Sequence, residues 1–263
     1  MKATVFLGGG RITAALTAGL RLVGDQRRMV VYDRNPEKVR RLRIEAGVEI
    51  APDITSAVAS AGMLVVAVRP GSVSGMLSEV RKCEASPRLC VSLAAGVPLA
   101  NLRAGLPKTH WARAMPSPVC RVARGLTALC FDRGATKKER SLVRDLFSRV
   151  GQVVEISEKQ FDTFTATFSS SHGYHALATL AEAARQSGLD RKTALKAAAH
   201  ALADGIGYWR QSGLSLDELL HEAATPGGTA AATMAAMDRS GYAPAVSKGL
   251  AAGIAQARRN AKK

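Results

Sequence analysis

The sequence predicts an α/β domain built on a parallel sheet, followed by an all-α domain. Three observations predict it. Short β-rich apolar runs alternate with helical stretches along the first half, the pattern of a parallel sheet covered by helices. After Ser157 the composition turns to long Ala-rich helical segments. A glycine-rich turn, Gly8-Gly9-Gly10, stands between the first strand and the first helix. With 263 residues, 47% of them apolar and 22% charged, the chain is long enough for two ordinary domains. The division is expected near residues 151 to 157, giving domains 1–154 and 155–263.

In the first half the clearest strands are Thr4 to Leu7, Met29 to Tyr32, Leu64 to Val68 and Leu89 to Leu93. Ile12 to Val23 and Pro36 to Ala46 carry apolar residues at helical spacing, the second with Asn35 as N-cap and Pro36 at its first position. Thr127 to Phe131 reads as a further strand, followed by a helix from Lys137 to Val150 that ends at Gly151. The second half reads as helices over Glu158 to Ser187, Arg191 to Ser212, Ser215 to Ala223, Gly228 to Ser240, and Ala243 to the tail. Several of these are apolar on more than one face, which predicts burial between subunits.

Composition excludes several function classes. No apolar run reaches the roughly 18–20 uncharged residues of a spanning helix, and the N-terminus starts a strand at once instead of a signal peptide, so no membrane partner is expected. Cys83, Cys90, Cys120 and Cys130 lack zinc-site spacing and are too few for a disulfide framework, which points to a reducing cytoplasm. The net charge of +16 raises the question of nucleic acid. Its basic pairs, Arg27-Arg28, Arg40-Arg41, Lys137-Lys138 and Arg258-Arg259, are dispersed without aromatic interleaving, so a solvated basic surface is expected and no nucleic-acid partner. Such a field also favours an anionic cofactor and substrate.

In a Rossmann-type βα turn the first glycine permits the bend, the second lets the backbone approach a pyrophosphate, and the third packs helix on strand. Gly8 and Gly10 supply the first two; Thr13 stands at the third, beside the small Ala14. Gly8, Gly10, Arg11 and Ile12 are therefore the expected pyrophosphate residues at the helix start. Tyr32-Asp33-Arg34-Asn35 falls where an adenosine ribose is read. Two readings compete: Asp33 accepting from both ribose hydroxyls favours NAD, and Arg34 with the Asn35 amide gripping a 2′-phosphate favours NADP. The NADP reading is preferred, with NAD possible; a plain alternative is that Asn35 only caps its helix while Arg34 is solvated. Ligands of open α/β sheets bind outside the carboxyl ends of strands, which places Val68, Arg69, Pro70 and Ala95 at the cofactor and Met115 with Pro116 as a wall of the nicotinamide pocket. Arg69 reads equally well as a solvated loop cation.

These residues, with others along almost the whole chain, resemble the pyrroline-5-carboxylate reductases, which reduce a cyclic imine to proline with NAD(P)H. The resemblance is carried by Gly8-Gly9-Gly10, Val66-Ala67-Val68-Arg69-Pro70, Ser92-Leu93-Ala94-Ala95-Gly96-Val97, Arg113-Ala114-Met115-Pro116, Glu158 to Ala166, and Thr225-Pro226-Gly227-Gly228-Thr229, in the family's order. It implies a Rossmann-type parallel-sheet domain followed by an all-α dimerisation domain, a homodimer or larger assembly, and active sites at the subunit interface. It also implies that Thr225, Gly227 and Gly228 bind the substrate carboxylate. A turn opening a helix suits an anion, though the same residues also read as an ordinary helix start capped by Thr225.

The chain departs from the family's pattern at three places. Met-Pro-Asn-Thr-Pro becomes Met115-Pro116-Ser117-Pro118, one residue short; Ser-Gly-Ser-Gly-Pro-Ala-Tyr becomes Phe168-Ser169-Ser170-Ser171-His172-Gly173-Tyr174, where only Ser170 and Tyr174 match by position. The final threonine of the Pro-Gly-Gly turn, which the resemblance implies bonds the imine nitrogen, is Ala230. The candidates for a donor at that nitrogen are then Thr229, Tyr174 and Ser170, with His172 a further one. Each also reads as a packing residue, and Thr229 faces about 100° away from its helical neighbour. Two other outcomes stay open: a reductase of another small acid on the same fold, with Lys159 or Lys196 as its acid, and a non-catalytic cofactor-binding dimer.

Overall fold

In the computed structural model, residues 2–260 are described. They form two compact units, one of residues 2–168 with 252–260, the other of residues 169–251. The first unit thus includes the segment just after the expected boundary at residues 154 and 155, and the end of the chain returns to it.

An eight-stranded sheet is the frame of the first unit. Its strands are β1 (Ala3–Leu7), β2 (Met29–Tyr32), β3 (Glu49–Ile50), β4 (Ala61–Val66), β5 (Leu89–Ser92), β6 (His110–Pro116), β7 (Gly125–Phe131) and β8 (Gly151–Glu155). The order is β3-β2-β1-β4-β5-β6-β7-β8, parallel except where β6 meets β7. Every residue of β1 is buried, as expected of a central strand covered on both faces. Chain order reverses between β1 and β4, and ligands of such sheets bind in that crevice, at the carboxyl ends of the strands.

Helices α1 (Arg11–Leu22), α2 (Pro36–Ala46), α3 (Ile54–Ser60), α4 (Val73–Arg81), α5 (Leu99–Gly105), α6 (Lys137–Ser148) and α7 (Glu158–Thr167) complete this unit with the end of α12 (Tyr242–Asn260). Asn35 caps α2 as its spacing predicts, its Oδ1 accepting from Glu37 N at 3.0 Å, with Pro36 at the first position. Gly151 opens β8 instead of ending α6, and α6 starts with a reciprocal capping box between Thr136 and Glu139. Hydrophobic clusters lie on the two faces of the sheet, one around Leu7, Leu64, Trp111 and Phe161, the other around Phe6, Leu16, Val65 and Phe147. A Cβ on Gly96 would stand 1.9 Å from the Ala257 carbonyl oxygen, so the last turns of α12 lie against the loop that carries Ala95.

In the second unit, α8 (Ser171–Gln186), α9 (Arg191–Ser212), α10 (Leu216–Ala223), α11 (Thr229–Arg239) and the start of α12 follow one another. The expected long helix over Glu158 to Ser187 is broken at Phe168-Ser169-Ser170, where serine hydroxyls bond locally and compete with the helix ladder; Ser169 and Ser171 Oγ atoms lie 2.6 Å apart. Helices α8 and α9 pack as a hairpin, and Asp190 Oδ1 caps α9 by accepting from Lys192 N and Thr193 N at 2.9 and 3.2 Å. Within one chain only Ala194 and Ala198 are buried in these elements, while Tyr174, Ile206, Tyr208, Trp209 and Leu216 stand 44–66% exposed. Apolar faces left open on this scale mark an association surface.

Candidate active site

The glycine turn is held by hydrogen bonds on each side. Gly8 N donates to Tyr32 O at 2.7 Å, and Gly9 N donates to Asp33 Oδ2 at 2.7 Å. Gly8 has φ +112°, and a Cβ there would lie 2.6 Å from the Ala67 carbonyl oxygen, so no other residue fits. Thr13, fully buried, fills the place of the missing third glycine and donates its hydroxyl to Gly8 O at 2.6 Å, tying the first turn of α1 back to the end of β1. At Gly10 a Cβ would meet nothing within 4 Å, and Gly10 stands at the N-cap of α1 with no side chain capping the helix. The N–H groups at the start of α1, at Gly10, Arg11 and Ile12, are thus left without a capping side chain, at the positive end of the helix. An anionic pyrophosphate fits this cradle.

At the ribose end the two sequence readings separate. Both Asp33 oxygens are engaged by the chain itself, Oδ2 by Gly9 N and Oδ1 by Asn35 N at 2.8 Å, with Lys38 Nζ 3.5 Å from Oδ2. Asp33 is thus a brace between the glycine turn and the start of α2. Arg34 is exposed and ion-paired with Glu79 of α4, and Asn35 keeps its amide nitrogen while its Oδ1 caps α2. Lys38, which the sequence reading passed over, stands one helical turn from the cap, beside Gly9; its charge next to Asp33 was the available signal.

Strand β4 ends at Val66, two residues before the expected Val68; half-buried Val68 stands beside Gly8. Arg69 is exposed and its carbonyl accepts from Ser72 N at 2.8 Å in the short 3₁₀ turn opened by Pro70. Ala95 and Met115 are half-buried, Ala95 just beyond β5 and Met115 near the end of β6. The first unit therefore gathers Gly8, Gly10, Arg11, Ile12, Arg34, Asn35, Val68, Arg69, Pro70 and Ala95 along the carboxyl edge of the strands.

Below Met115 on β6 lies Arg113, which sequence reasoning used only as part of a motif. Its side chain is 3% exposed, 3.5 Å from both Glu158 and Asp162 of α7, with its guanidinium 4.1 Å from the Phe161 ring centroid. Glu158 Oε1 also accepts from Leu99 N at 2.6 Å, so one carboxylate ties α5, β6 and α7. Neighbouring Cys130 is no nucleophile near neutrality, because burial pushes its thiol up to about 11.

The remaining candidates belong to the second unit. Ser170 precedes the first residue of α8, and its carbonyl accepts from Tyr174 N at 3.2 Å; the Tyr174 side chain is exposed. Thr225-Pro226-Gly227-Gly228 is a type II turn, with proline second, Gly227 third at φ +78°, and Gly228 N donating to Thr225 O at 2.9 Å. The helix cap is Gly228, not Thr225, whose hydroxyl instead donates to Glu222 O at 3.4 Å. No side chain caps α11, so its first turn, opened by Thr229 and Ala230, keeps its N–H groups for another partner.

Comparison with known proteins shows the family. Residues 158–260 match the family model for pyrroline-5-carboxylate reductase dimerisation, and residues 4–96 match the model described as NADP oxidoreductase coenzyme F420-dependent. A pyrroline-5-carboxylate reductase of Corynebacterium melassecola is 30% identical over 251 residues, covering 92% of each chain. This chain belongs to the pyrroline-5-carboxylate reductase family. Its fold is also that of the pyrroline-5-carboxylate reductase of Coxiella burnetii, at 24% identity and a TM-score of 0.88 over 100% of this chain and 99% of the other. The Plasmodium falciparum pyrroline carboxylate reductase, solved with NADP bound, is 17% identical with a TM-score of 0.87, covering 99% and 98%. The second half of the chain is thus a dimerisation domain, which accounts for its exposed apolar faces. Among the described residues, no helix is long and apolar enough to cross a membrane.

Proposed function

We propose that this protein is an NADPH-dependent imine reductase that converts pyrroline-5-carboxylate to proline, working as a homodimer or larger assembly. The observation that carries the reading is the Gly8-Gly10 turn, braced by Asp33 and Thr13 and opening an uncapped α1, in a chain of this family. Gly8, Gly10, Arg11 and Ile12 hold the pyrophosphate, Arg34 and Asn35 the 2′-phosphate, and Val68, Arg69, Pro70 and Ala95 the edge of the cofactor cleft. NADH is the weaker alternative, because Asp33 is already spent on backbone N–H groups. When bound, the cofactor supplies the hydride. The names and cofactors of the relatives support the same choice.

For the substrate, the uncapped start of α11 after Thr225, Gly227 and Gly228 binds the carboxylate through N–H groups and helix dipole; within the first unit, Met115 is the residue assigned to the substrate side. The protein's remaining tasks are to hold the imine carbon in line and place a donor at its nitrogen. Thr229 is the first choice for that donor, with Tyr174 and Ser170 behind it. An imine that enters protonated already carries its own proton, and a hydroxyl facing it then accepts from the iminium N–H instead of donating, so no strong protein acid is needed and Ala230 does not abolish the reaction. We further place residues 155–263 as the dimerisation and substrate domain, and the enzyme in the cytoplasm, where its four free thiols persist. Arg27, Arg28, Arg40 and Arg41 are ion-paired with neighbouring carboxylates, in keeping with a solvated basic surface.

Ala230 favours one second reading, a related cyclic imine of different size as the preferred substrate. Steady-state kinetics of Thr229→Ala and Tyr174→Phe test the donor. Loss of the Thr229 hydroxyl is expected to lower kcat about ten- to a hundredfold. A wild-type rate in Thr229→Ala removes it from the site and moves the role to Tyr174 or Ser170.

A further inference from the structure

Resting on the cofactor reading above, we propose that Glu79 of α4 sets the preference for the 2′-phosphate by acting as the displaceable counter-ion of Arg34. Sequence neighbours of Arg34 give no hint of this partner, which lies 45 positions along the chain and meets it only through the fold.

The acidic side chains next to Arg34 in the sequence, Asp33 and Glu37, already have partners. Asp33 spends both oxygens on Gly9 N and Asn35 N and has Lys38 beside it. Glu37 pairs with Arg40 at 3.0 Å on the exposed face of α2. Arg34, 69% exposed at the tip of β2, therefore has one carboxylate to choose, and Glu79, 33% exposed, is the one it meets. A 2′-phosphate bears the same sign as Glu79 and asks for the same guanidinium fork. Binding it means breaking the Arg34–Glu79 pair and leaving a carboxylate close to a dianion. A ribose hydroxyl at the same position makes no such demand. Glu79 thus weakens the phosphorylated dinucleotide alone, and with no 2′-phosphate bound it holds the Arg34 guanidinium.

An exposed ion pair of this kind is worth a small factor, so removing the acid should tighten 2′-phosphate binding about two- to fivefold. The test is calorimetric titration of the full chain with adenosine 2′,5′-bisphosphate and with adenosine 5′-monophosphate, for wild type, Glu79→Gln, Arg34→Ala and the double variant. Glu79→Gln should tighten the bisphosphate and leave the monophosphate unchanged, and most of that gain should vanish on the Arg34→Ala background. Glu79→Ala, checked by thermal melting, should repeat the result. Unchanged or weaker bisphosphate binding in both variants, or an equal shift for both ligands, overturns the counter-ion role while leaving the cofactor site standing. Failure of wild type to bind either fragment overturns the cofactor reading itself.

Discussion

Gly8 and Gly10 are both glycines of one turn, yet the structure assigns them different needs, and replacing each by alanine separates folding from cofactor binding. At Gly8 the backbone has φ +112°, and the new Cβ would sit 2.6 Å from the Ala67 carbonyl oxygen. Backbone strain of this kind costs about 1–3 kcal/mol, and the overlap raises the total to at least roughly 3 kcal/mol. For a chain of this size that corresponds to a melting temperature lower by about 6–12 °C. At Gly10 the φ is −77° and a Cβ meets nothing within 4 Å. Alanine is a somewhat poorer N-cap than glycine, but it narrows the unfolded ensemble by about 0.4–1 kcal/mol, so the melting temperature should move by less than ~2 °C. The methyl instead occupies the approach of the pyrophosphate to the α1 N–H groups, and NADPH affinity should fall at least about tenfold, ~1.4 kcal/mol. Thermal melts with a fluorescence titration of NADPH read both quantities. A Gly10→Ala protein that binds NADPH normally, or that melts as low as Gly8→Ala, refutes the assignment.

Asp33→Asn should weaken NADPH and NADH alike, because the carboxylate braces Gly9 and Asn35 instead of reading the ribose; a loss confined to NADH in paired titrations would restore the ribose role. Arg113→Ala breaks a buried cation from Glu158, Asp162 and the Phe161 face. Its two carboxylates keep 38% and 25% exposure, so the cost is about 2–4 kcal/mol, below the ~3–5 of a fully buried pair, and a drop of under ~2 °C in melting temperature would contradict it. Burial works against the charge of Asp25, but its bonds from Arg27 and the nearby Arg149 guanidinium outweigh that and hold the carboxyl below its ordinary range. Its folded pKa lies below the unfolded one, so its stabilisation is present above about pH 4 and is lost as pH falls through the folded value. The melting gap between wild type and Asp25→Asn should therefore be open near neutrality and close below about pH 4; a gap constant down to acid would remove the ion pairs from the account.

The parts of the fold that could be read from the sequence are those governed by local rules. Strands β1 and β2, the Asn35-Pro36 start of α2 and the glycine turn announce themselves because each depends on a few adjacent residues. Strand β6 was illegible since its buried Arg113 interrupts the apolar pattern, and the guanidinium is tolerated only through Glu158, Asp162 and Phe161, 45 to 49 positions away. Strand β3 is two residues long, too short for any period, and β8 is an edge strand with little burial. The helix break at Ser169 hides in a segment whose flanks are both strongly helical. In the site, Gly8 and Gly10 were visible, but the opposite fates of Asp33 and Arg34 depend on Gly9 N and Glu79, which only the folded chain brings within reach. Thr225 had the right type for a helix cap, and the turn at Gly227 moved that duty to Gly228.

The central claim is tested most directly by incubating the purified chain with NADPH and pyrroline-5-carboxylate while following cofactor oxidation and proline formation together. Proline should appear in amounts equal to the NADPH consumed, with NADPH preferred to NADH. NADPH binding without turnover of pyrroline-5-carboxylate, or turnover of a different imine alone, would contradict it.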